Sequence, residues 1–378
     1  MTSRERVLAT LDGRIPDRVP WGEFAIDFDT VEKILGHETY LRAKAKSKIA
    51  FWEKRHAEVA QSYREDHIEL HRRLELDIVT FPMATWEIPP LSDEPPPRRV
   101  DETTWEDRYG RVYKYSSLTE DITCVKDPVE EARRYTLEEF QKEPGQPALD
   151  PRSFEILDAV ILEFKGKKFI CGPSAGIPGI VFLGGLEKGS LALHENPDFV
   201  RAATDYLVLE QNAADEILIH PGADAVLVAH DFGHKTGPFL SPAMFREFFL
   251  EANRSRVTRL KEKGKKVFLH SCGNVQSYLD FFIDIGFDAY QSIQASANMD
   301  ICWLKKEYGH KITLWGGVAL ENLVSGTAED VRQDVRRAMA CAKAGGRFIL
   351  GTSHSVAVGS RYDNFLAMLD EYHKLADY

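Results

Sequence analysis

An apolar run that stops abruptly at reactive side chains organises this chain: residues 266–274 read KVFLHSCGN. Side chains two positions apart on a β-strand point to the same face, so the imidazole of His270 and the thiol of Cys272 converge at the end of the predicted strand. A soft metal such as zinc accepts this pair of ligands. The pattern indicates a metal site, and a core strand that ends in a structural histidine and a buried cysteine is the alternative interpretation.

Similar short apolar runs recur along the chain, each followed by a helical pattern. They are continuously apolar, as expected when both faces of a strand are buried in a parallel sheet. Six of them follow residue 150, at 168–171, 224–229, 266–270, 288–292, 312–316 and 347–351. Two earlier candidates, 20–24 and 78–81, raise the number to eight, the strand count of a (β/α)8 TIM barrel. We expect this α/β barrel, with a doubly wound open sheet as the competing architecture.

The remaining segments are interpreted as additions to the barrel. Residues 2–12 predict a capped helix and residues 30–75 are helical and heavily charged, which gives an N-terminal helical extension. From about 83 to 150 the chain becomes proline-rich and then predicts a hairpin at 104–115. We interpret 83–150 as an inserted excursion and expect residues 1–378 to form a single domain.

Composition and charge exclude several classes of function. With 378 residues, 43% of them hydrophobic and 28% charged, the chain can form a globular protein with a large core. A net charge of −11 and scattered basic residues argue against nucleic acid as a partner. The amino terminus lacks an apolar signal core, and no apolar run approaches the ~18 residues of a membrane span. We therefore expect a cytoplasmic protein with no membrane partner.

The cysteine content points to the same compartment. The chain has five widely spaced cysteines: Cys124, Cys171, Cys272, Cys302 and Cys341. An odd number at such spacing argues against a disulfide framework and suits a reducing environment.

The residues just past each predicted strand are the candidates for function, because the active site of a (β/α)8 barrel lies at the carboxyl ends of its strands. Glu23 and Asp27 follow the first strand, His230 and Asp231 follow the fourth, and His354 follows the last. The other candidates at strand ends are Cys171, Ser174, His234, Lys235, Gln291, Gln294, Trp315, Glu321, Ser353 and Ser355.

Three of these positions predict a metal centre. His354 faces the same mouth of the barrel as His270 and Cys272, so together they can supply three ligands and leave a fourth position open. An open fourth position is typical of catalytic zinc. The alternative for His354 is a loop histidine that caps a backbone group.

We predict Asp231, His230 and Glu23 as catalytic residues at this mouth. Asp231 can accept a hydrogen bond from a ligand histidine or carry a proton. For His230 the alternative is a buried strand-end histidine that donates to a carbonyl group.

Several segments carry a family resemblance over nearly the whole chain, which loosens between about 83 and 150. They read RERVL at 4–8, GRIPDRVP at 13–20, GPFLSP at 237–242, HSCGN at 270–274 and NFLAM at 364–368. Together they resemble the uroporphyrinogen decarboxylase superfamily. The resemblance implies a (β/α)8 barrel, in agreement with the strand count.

The superfamily contains decarboxylases and methyltransferases. Genuine uroporphyrinogen decarboxylases carry an Arg-x-x-Gly-Arg-Tyr segment that binds substrate carboxylates and a Phe-Ser-Asp-Ile stretch with a central aspartate. The corresponding regions here read WGEFAID at 21–27 and VTFPM at 79–83, so both signatures are missing. The chain therefore resembles the zinc- and corrinoid-dependent methyltransferases more closely.

The methyltransferase branch holds its metal with His-x-Cys on one strand and a cysteine near the carboxyl terminus. His270 and Cys272 match the first part. Counting back from the NFLAM segment places the third ligand at His354, so a histidine stands where the family has cysteine. The resemblance implies zinc as a cofactor and a corrinoid (cobalamin) carried on a separate protein.

We therefore predict a zinc-dependent methyltransferase that moves a methyl group between a small-molecule methyl donor or acceptor and a corrinoid protein. An aryl methyl ether is one candidate substrate, which would make the reaction an O-demethylation, and thiol methylation is equally permitted. The aromatic residues proposed to line the pocket are Trp21, Phe24, Phe81, Trp86 and Tyr290. Two alternatives stay open: a metal-free decarboxylase and a non-catalytic corrinoid- or tetrapyrrole-binding barrel.

Overall fold

The computed structural model of the chain describes residues 1–179 and 186–378. It begins with four helices and one buried strand, α1 (Ser3–Leu11), α2 (Phe28–Leu35), α3 (Lys44–Trp52), α4 (His56–Arg73) and β1 (Ile78–Thr80). Four strands and two helices follow, β2 (Arg98–Arg99), β3 (Thr104–Glu106), β4 (Val112–Ser116), β5 (Asp121–Lys126), α5 (Pro128–Ala132) and α6 (Pro151–Phe164).

In the rest of the described chain, one or two helices follow each long buried strand. The first elements are β6 (Phe169–Gly172), α7 (Leu186–Glu195), α8 (Pro197–Leu218), β7 (Ala225–Ala229), β8 (Gly233–His234), β9 (Gly237–Pro238), α9 (Pro242–Phe248) and α10 (Leu250–Glu262). They are followed by β10 (Lys266–His270), α11 (Leu279–Ile285), β11 (Ala289–Gln291), α12 (Ile301–Tyr308), β12 (Thr313–Val318), α13 (Leu320–Ser325), α14 (Ala328–Ala342), β13 (Phe348–Thr352) and α15 (Tyr362–Leu375).

The main sheet has seven parallel strands in the order β1-β6-β7-β10-β11-β12-β13. Residues 20–22 join its two edges. The carbonyl of Trp21 accepts from the Asp77 N–H at 2.9 Å beside β1, and Leu350 of β13 pairs with Pro20 and Gly22 at 2.9 and 3.0 Å. This segment occupies the eighth position of the predicted (β/α)8 barrel, so the open doubly wound sheet is excluded.

The predicted strand at 20–24 is shorter than expected, because it forms only one bridge, between Trp21 and Leu350. The backbone groups that would extend the hydrogen bonding between this segment and β13 bond to side chains instead. The Gly22 carbonyl accepts from the Trp315 indole at 2.8 Å. The backbone N–H of Thr352 donates to the carboxylate of Glu23 at 3.1 Å.

The barrel interior is filled by buried side chains from all seven strands of the main sheet, and α1 packs against them. Thr2 caps α1 and forms a capping box with Glu5, as the predicted helix at 2–12 requires. Val7 and Leu11 of α1 pack into the same buried cluster as the strand residues Ile78, Phe169, Cys171, Ala225, Phe268, Ala289, Trp315 and Ile349. Trp315 and Cys171 therefore belong to the packed interior of the barrel.

The outer helices bury one apolar stripe each, as α14 does with Val331, Val335, Ala338, Met339 and Ala342. None of the helices in the described part of the chain combines the length and the apolar character needed to cross a membrane.

The excursion at 83–150 contains the predicted hairpin, with β3 paired to β4 and a left-handed Gly110 (φ +77°) in the turn. β2 and β5 complete a four-stranded antiparallel sheet. This sheet contacts α3, because the Ala45 N–H donates to the Glu120 carbonyl at 3.2 Å. The single-domain organisation of residues 1–378 stays a prediction.

One cysteine pair differs from the sequence expectation. Cys302 on α12 and Cys341 on α14 form a disulfide across 39 residues of sequence. The odd number and wide spacing of the cysteines argued against a disulfide framework and did not predict this one bond. Helices α12 and α14 lie side by side on the barrel, and a contact between helices this far apart in the chain leaves no signal in cysteine spacing.

Candidate metal centre

The structure brings the three predicted metal ligands together. His270 ends β10 and Cys272 lies next but one after it, with 3.4 Å between His270 Nε2 and Cys272 Sγ. His354 lies next but one after the end of β13. One ligand atom from each of the three side chains lies within 4.8 Å of the other two. A single ion could therefore reach all three side chains.

The donor set fits zinc. Two imidazole nitrogens and one sulfur are ligands that zinc accepts, and they leave one tetrahedral position open. Burial lowers the pKa of His270 and of His354, so both rings carry a free lone pair near neutral pH. Burial, followed by the charge of Asp231, raises the pKa of the Cys272 thiol to about 12. Binding of a metal would therefore displace a proton from the sulfur.

Gln291 and Phe24 hold the ring of His270. Nδ1 of His270 donates to Oε1 of Gln291, and Nε2 of Gln291 donates to the Thr352 carbonyl at 3.3 Å, which fixes the orientation of the amide. The lone pair of His270 is therefore at Nε2, on the side of Cys272. Phe24 stacks on the ring with centroids 3.9 Å apart and planes 13° apart. The sequence placed Gln291 at a strand end without this role, which depends on the pairing of His270 with Gln291 across β10 and β11.

The loop that carries Cys272 is fixed by two side chains and a glycine. The Cys272 N–H donates to Asp231 at 2.8 Å, and the Gly273 N–H donates to Gln294 at 2.6 Å. Gly273 has φ +83°, and a Cβ there would lie 2.5 Å from the backbone of Gly233. A larger residue at this position would push the loop away from Gly233 and displace the thiol.

Ser292 contacts the sulfur and was missed by sequence reasoning. Its hydroxyl lies 3.2 Å from Cys272 Sγ and 2.9 Å from the Ser353 carbonyl oxygen. Its backbone has φ +87°, a left-handed conformation that serine seldom adopts. Strained backbone of this kind is concentrated at functional sites.

Glu23 is buried beside the loop of His354 and does not line the large cavity next to the predicted metal ligands. Its side chain is 2% exposed, and it contacts the backbone N–H of Thr352 at 3.1 Å and the hydroxyl at 2.5 Å. Burial raises its pKa to about 8. The Thr352 hydroxyl also donates to the His354 carbonyl. Since this hydroxyl has one proton, the second contact requires a proton on Glu23, so the acid is neutral and supports the loop of His354.

The structure brings His230 and Asp231 to the cavity beside the metal ligands. The backbone N–H of His230 donates to the His270 carbonyl at 3.0 Å, and its ring meets Phe232 edge-on at 4.6 Å. Burial lowers the pKa of His230, so its imidazole is neutral at neutral pH. Asp231 is exposed, lines the cavity and accepts from the Cys272 N–H at 2.8 Å.

The cavity has a volume of about 850 Å³, within the range of small-molecule sites. Its lining combines strand-end residues such as His270 with residues of α3 and of the segment after β1. Three of the predicted aromatic residues line it, and so do two that were not predicted: Phe24, Phe81, Trp86, Phe51 and Tyr63.

Two predicted pocket residues do not line this cavity, so that part of the prediction is wrong. Trp21 packs outward against Phe365 and Tyr372 of α15, at centroid distances of 6.4 and 6.1 Å. Tyr290 is fully buried and its hydroxyl lies 3.0 Å from the Ser271 and Ser292 carbonyl oxygens. Both rings belong to the layer between the sheet and the helices.

Comparisons with known proteins agree with this architecture. The family model described as uroporphyrinogen decarboxylase (URO-D) matches residues 184–375. A methyltransferase from Methanosarcina mazei has a similar structure over 99% of both chains, with a TM-score of 0.62 and 16% sequence identity. The GH18 chitinase ChiB from Flavobacterium johnsoniae covers 59% of this chain and 79% of its own, with a TM-score of 0.30 and 12% identity, too weak to carry an argument. At 16% identity, the similarity to the Methanosarcina mazei methyltransferase establishes the fold alone. Comparison with curated proteins found no match.

Proposed function

Because the chain belongs to the uroporphyrinogen decarboxylase family, we propose that it is a zinc-dependent methyltransferase acting between a small methylated substrate and a corrinoid on a separate protein. The observation that carries this proposal is the cluster of His270, Cys272 and His354 beside a cavity of small-molecule size. The fold shared with a methyltransferase from Methanosarcina mazei supports the same choice.

His270, Cys272 and His354 would hold the zinc. When bound, zinc supplies Lewis-acid chemistry at the heteroatom that carries or receives the methyl group. The surrounding residues keep the ligands in place before any metal arrives. Gln291 fixes the tautomer and the ring plane of His270, and Asp231 fixes the backbone at Cys272. Such partners hold ligands in a geometry that need not reorganise on binding.

Two groups at the cavity can handle protons. His230 is neutral because burial lowers its pKa, so in thiol methylation it can accept the proton of the incoming thiol. In O-demethylation the departing phenolate needs a proton, which the protonated form of His230 would supply. Asp231 lies next to it with its carboxylate exposed, and it can stabilise the charged form of the imidazole. We propose His230 and Asp231 as the catalytic pair, and Glu23 as a positioning residue that acts through Thr352 and the loop of His354.

We propose an aryl methyl ether as the methyl donor, so that the reaction is an O-demethylation. Phe24, Phe81 and Trp86 give the cavity aromatic walls, and Phe24 stacks on the proposed ligand His270. Thiol methylation would use the same cluster. The corrinoid partner, the cytoplasmic location and the single domain over residues 1–378 belong to this proposal.

Metal analysis combined with a methyl-transfer assay tests the function. The purified protein is expected to hold about one zinc per chain and to form methylcobalamin from cob(I)alamin and an aryl methyl ether. Cys272→Ala should lose both properties, whereas Cys124→Ala, which changes an exposed cysteine of β5, should keep both. Absence of zinc, together with carboxyl-group release from a tetrapyrrole acid, would instead favour the decarboxylase alternative.

A further inference from the structure

The cavity has a cationic wall that the proposed methyl transfer does not require. α3 contributes Lys44 and Lys48 to the lining. Residues at i and i+4 lie on the same face of a helix, so both ammonium groups are presented on the side of α3 that borders the cavity. The protein as a whole carries a net charge of −11, so two neighbouring cations at its main cavity stand out.

Neither of these lysines is neutralised by a carboxylate. Within residues 1–179 and 186–378, no ion pair involves Lys44 or Lys48. The Lys48 ammonium donates to the uncharged Ile122 carbonyl at 2.5 Å. Lys46, which lies between them in sequence on another face of the helix, contacts Glu38 at 2.9 Å and Glu32 at 3.8 Å. The lysine away from the cavity is therefore paired, and the two lysines at the cavity are not.

This arrangement costs stability in the absence of a ligand. Like charges at i and i+4 on a helix repel each other and destabilise it. α3 also has no acidic residue in its first turn, although negative charge is preferred there. An anion in the cavity would relieve both effects.

Of the other charged groups that line the cavity, the carboxylate of Asp231 lies at the metal ligands, where it accepts from the Cys272 N–H at 2.8 Å. Arg42 is already paired with Asp27 at 2.8 Å. Asp121 accepts from the Ile122 N–H at 2.7 Å, and burial raises the pKa of Glu87, which favours its uncharged form. Lys44, Lys48 and the metal ligand His270 all line this same cavity.

We propose that Lys44 and Lys48 bind an anionic group of the substrate and that the methyl donor is a small aromatic acid whose carboxylate lies at α3 while its methyl ether lies at the metal ligands. Phe24, Phe81 and Trp86 line the same cavity, and Phe24 stacks on the ring of His270. The substrate class rests on the function proposed above, whereas the anion site rests on the lysines alone.

Binding of matched acids and alcohols tests the anion site. The probes are 3-methoxybenzoate, its uncharged analogue 3-methoxybenzyl alcohol, and benzoate, titrated by calorimetry into the zinc-loaded protein. The wild type is expected to bind 3-methoxybenzoate about tenfold more tightly than the alcohol, and added salt should reduce this preference. The double variant Lys44→Gln, Lys48→Gln should lose the preference, and Lys44→Arg, Lys48→Arg should keep it. Lys46→Gln removes a charge from another face of α3 and should behave as the wild type.

Equal affinities for the acid and the alcohol in the wild type would overturn the anion site. So would a preference that survives in the double glutamine variant, or an absence of acid binding at millimolar concentration. Benzoate has no methyl group and reports on the anion site alone. Lysine-dependent binding of benzoate, together with no methyl transfer from 3-methoxybenzoate, would reject the proposed function and keep the anion site. If the wild type and the double glutamine variant both transferred methyl groups equally from 3-methoxybenzoate and from 3-methoxybenzyl alcohol, the anion site would be rejected and the proposed function kept.

Discussion

The hydroxyl of Ser292 lies 3.2 Å from the sulfur of Cys272, held there by a backbone with φ +87°. The same hydroxyl lies 2.9 Å from the Ser353 carbonyl oxygen, and its single proton can serve only one acceptor at a time. While Cys272 is a thiol, its S–H can donate to Ser292 and the hydroxyl can donate to Ser353. Once the sulfur loses its proton, the hydroxyl can turn to the thiolate. Ser292 is therefore placed to follow the charge state of a predicted metal ligand.

Removing the Ser292 hydroxyl should change the electronic environment of the Cys272 sulfur without reducing metal binding. In cobalt-substituted protein, Ser292→Gly and Ser292→Ala should both shift the sulfur-to-cobalt charge-transfer band to lower energy, because the thiolate loses a hydrogen bond. Metal content should stay at the wild-type level. Since glycine adopts φ +87° freely, the free energy of unfolding of Ser292→Gly should exceed that of Ser292→Ala by about 1 kcal/mol. If the charge-transfer band kept its energy in both variants, the Cys272 sulfur would accept no hydrogen bond from Ser292.

Asp231 should affect turnover more than metal binding. The amide oxygen of Asp231→Asn can still accept from the Cys272 N–H, so the loop should keep its position. The variant loses the negative charge beside His230, and its turnover should fall by roughly 10–100-fold. Methylcobalamin formation and zinc content, measured on the same preparation, separate the two effects. Full turnover would reduce Asp231 to a structural residue of the loop.

The sequence predicted the positions that follow from strand geometry, with Gln291 among the strand-end candidates, but not the contacts that depend on pairing between strands. The i, i+2 spacing of His270 and Cys272 was sufficient to place both on one face. Gln291 and Ser292 reach these residues across the sheet, and the register of β10 with β11 is invisible in a single sequence. Trp21 and Tyr290 were wrongly predicted to line the pocket for a related reason. A position near a strand end does not determine on which face of the sheet an aromatic ring lies.

The pH dependence of stability should reveal a neutral Glu23. Burial raises its pKa from 4.5 to about 8, so the folded protein holds this proton more tightly than the unfolded chain does. The corresponding stabilisation is complete below pH 4.5 and is lost as the pH rises through about 8. Glu23→Gln mimics the neutral acid at every pH. In denaturant titrations at a series of pH values, the wild type should lose stability relative to this variant as the pH rises. A difference independent of pH would mean that Glu23 is ionised in the folded protein.

His354 stands where the family resemblance implies a cysteine, and exchanging the two side chains tests its role. His354→Cys should retain zinc, whereas His354→Ala should lose most of it, because two protein ligands rarely hold zinc tightly. His234→Ala is the matched control, since His234 is an exposed histidine at the same mouth whose Nδ1 contacts Thr236. It should bind zinc as the wild type does. If His354 touches only the substrate, both His354 variants will keep the metal and lose activity together. Equal zinc occupancy in the cysteine and alanine variants would therefore remove His354 from the ligand set and leave His270 and Cys272 in need of another partner.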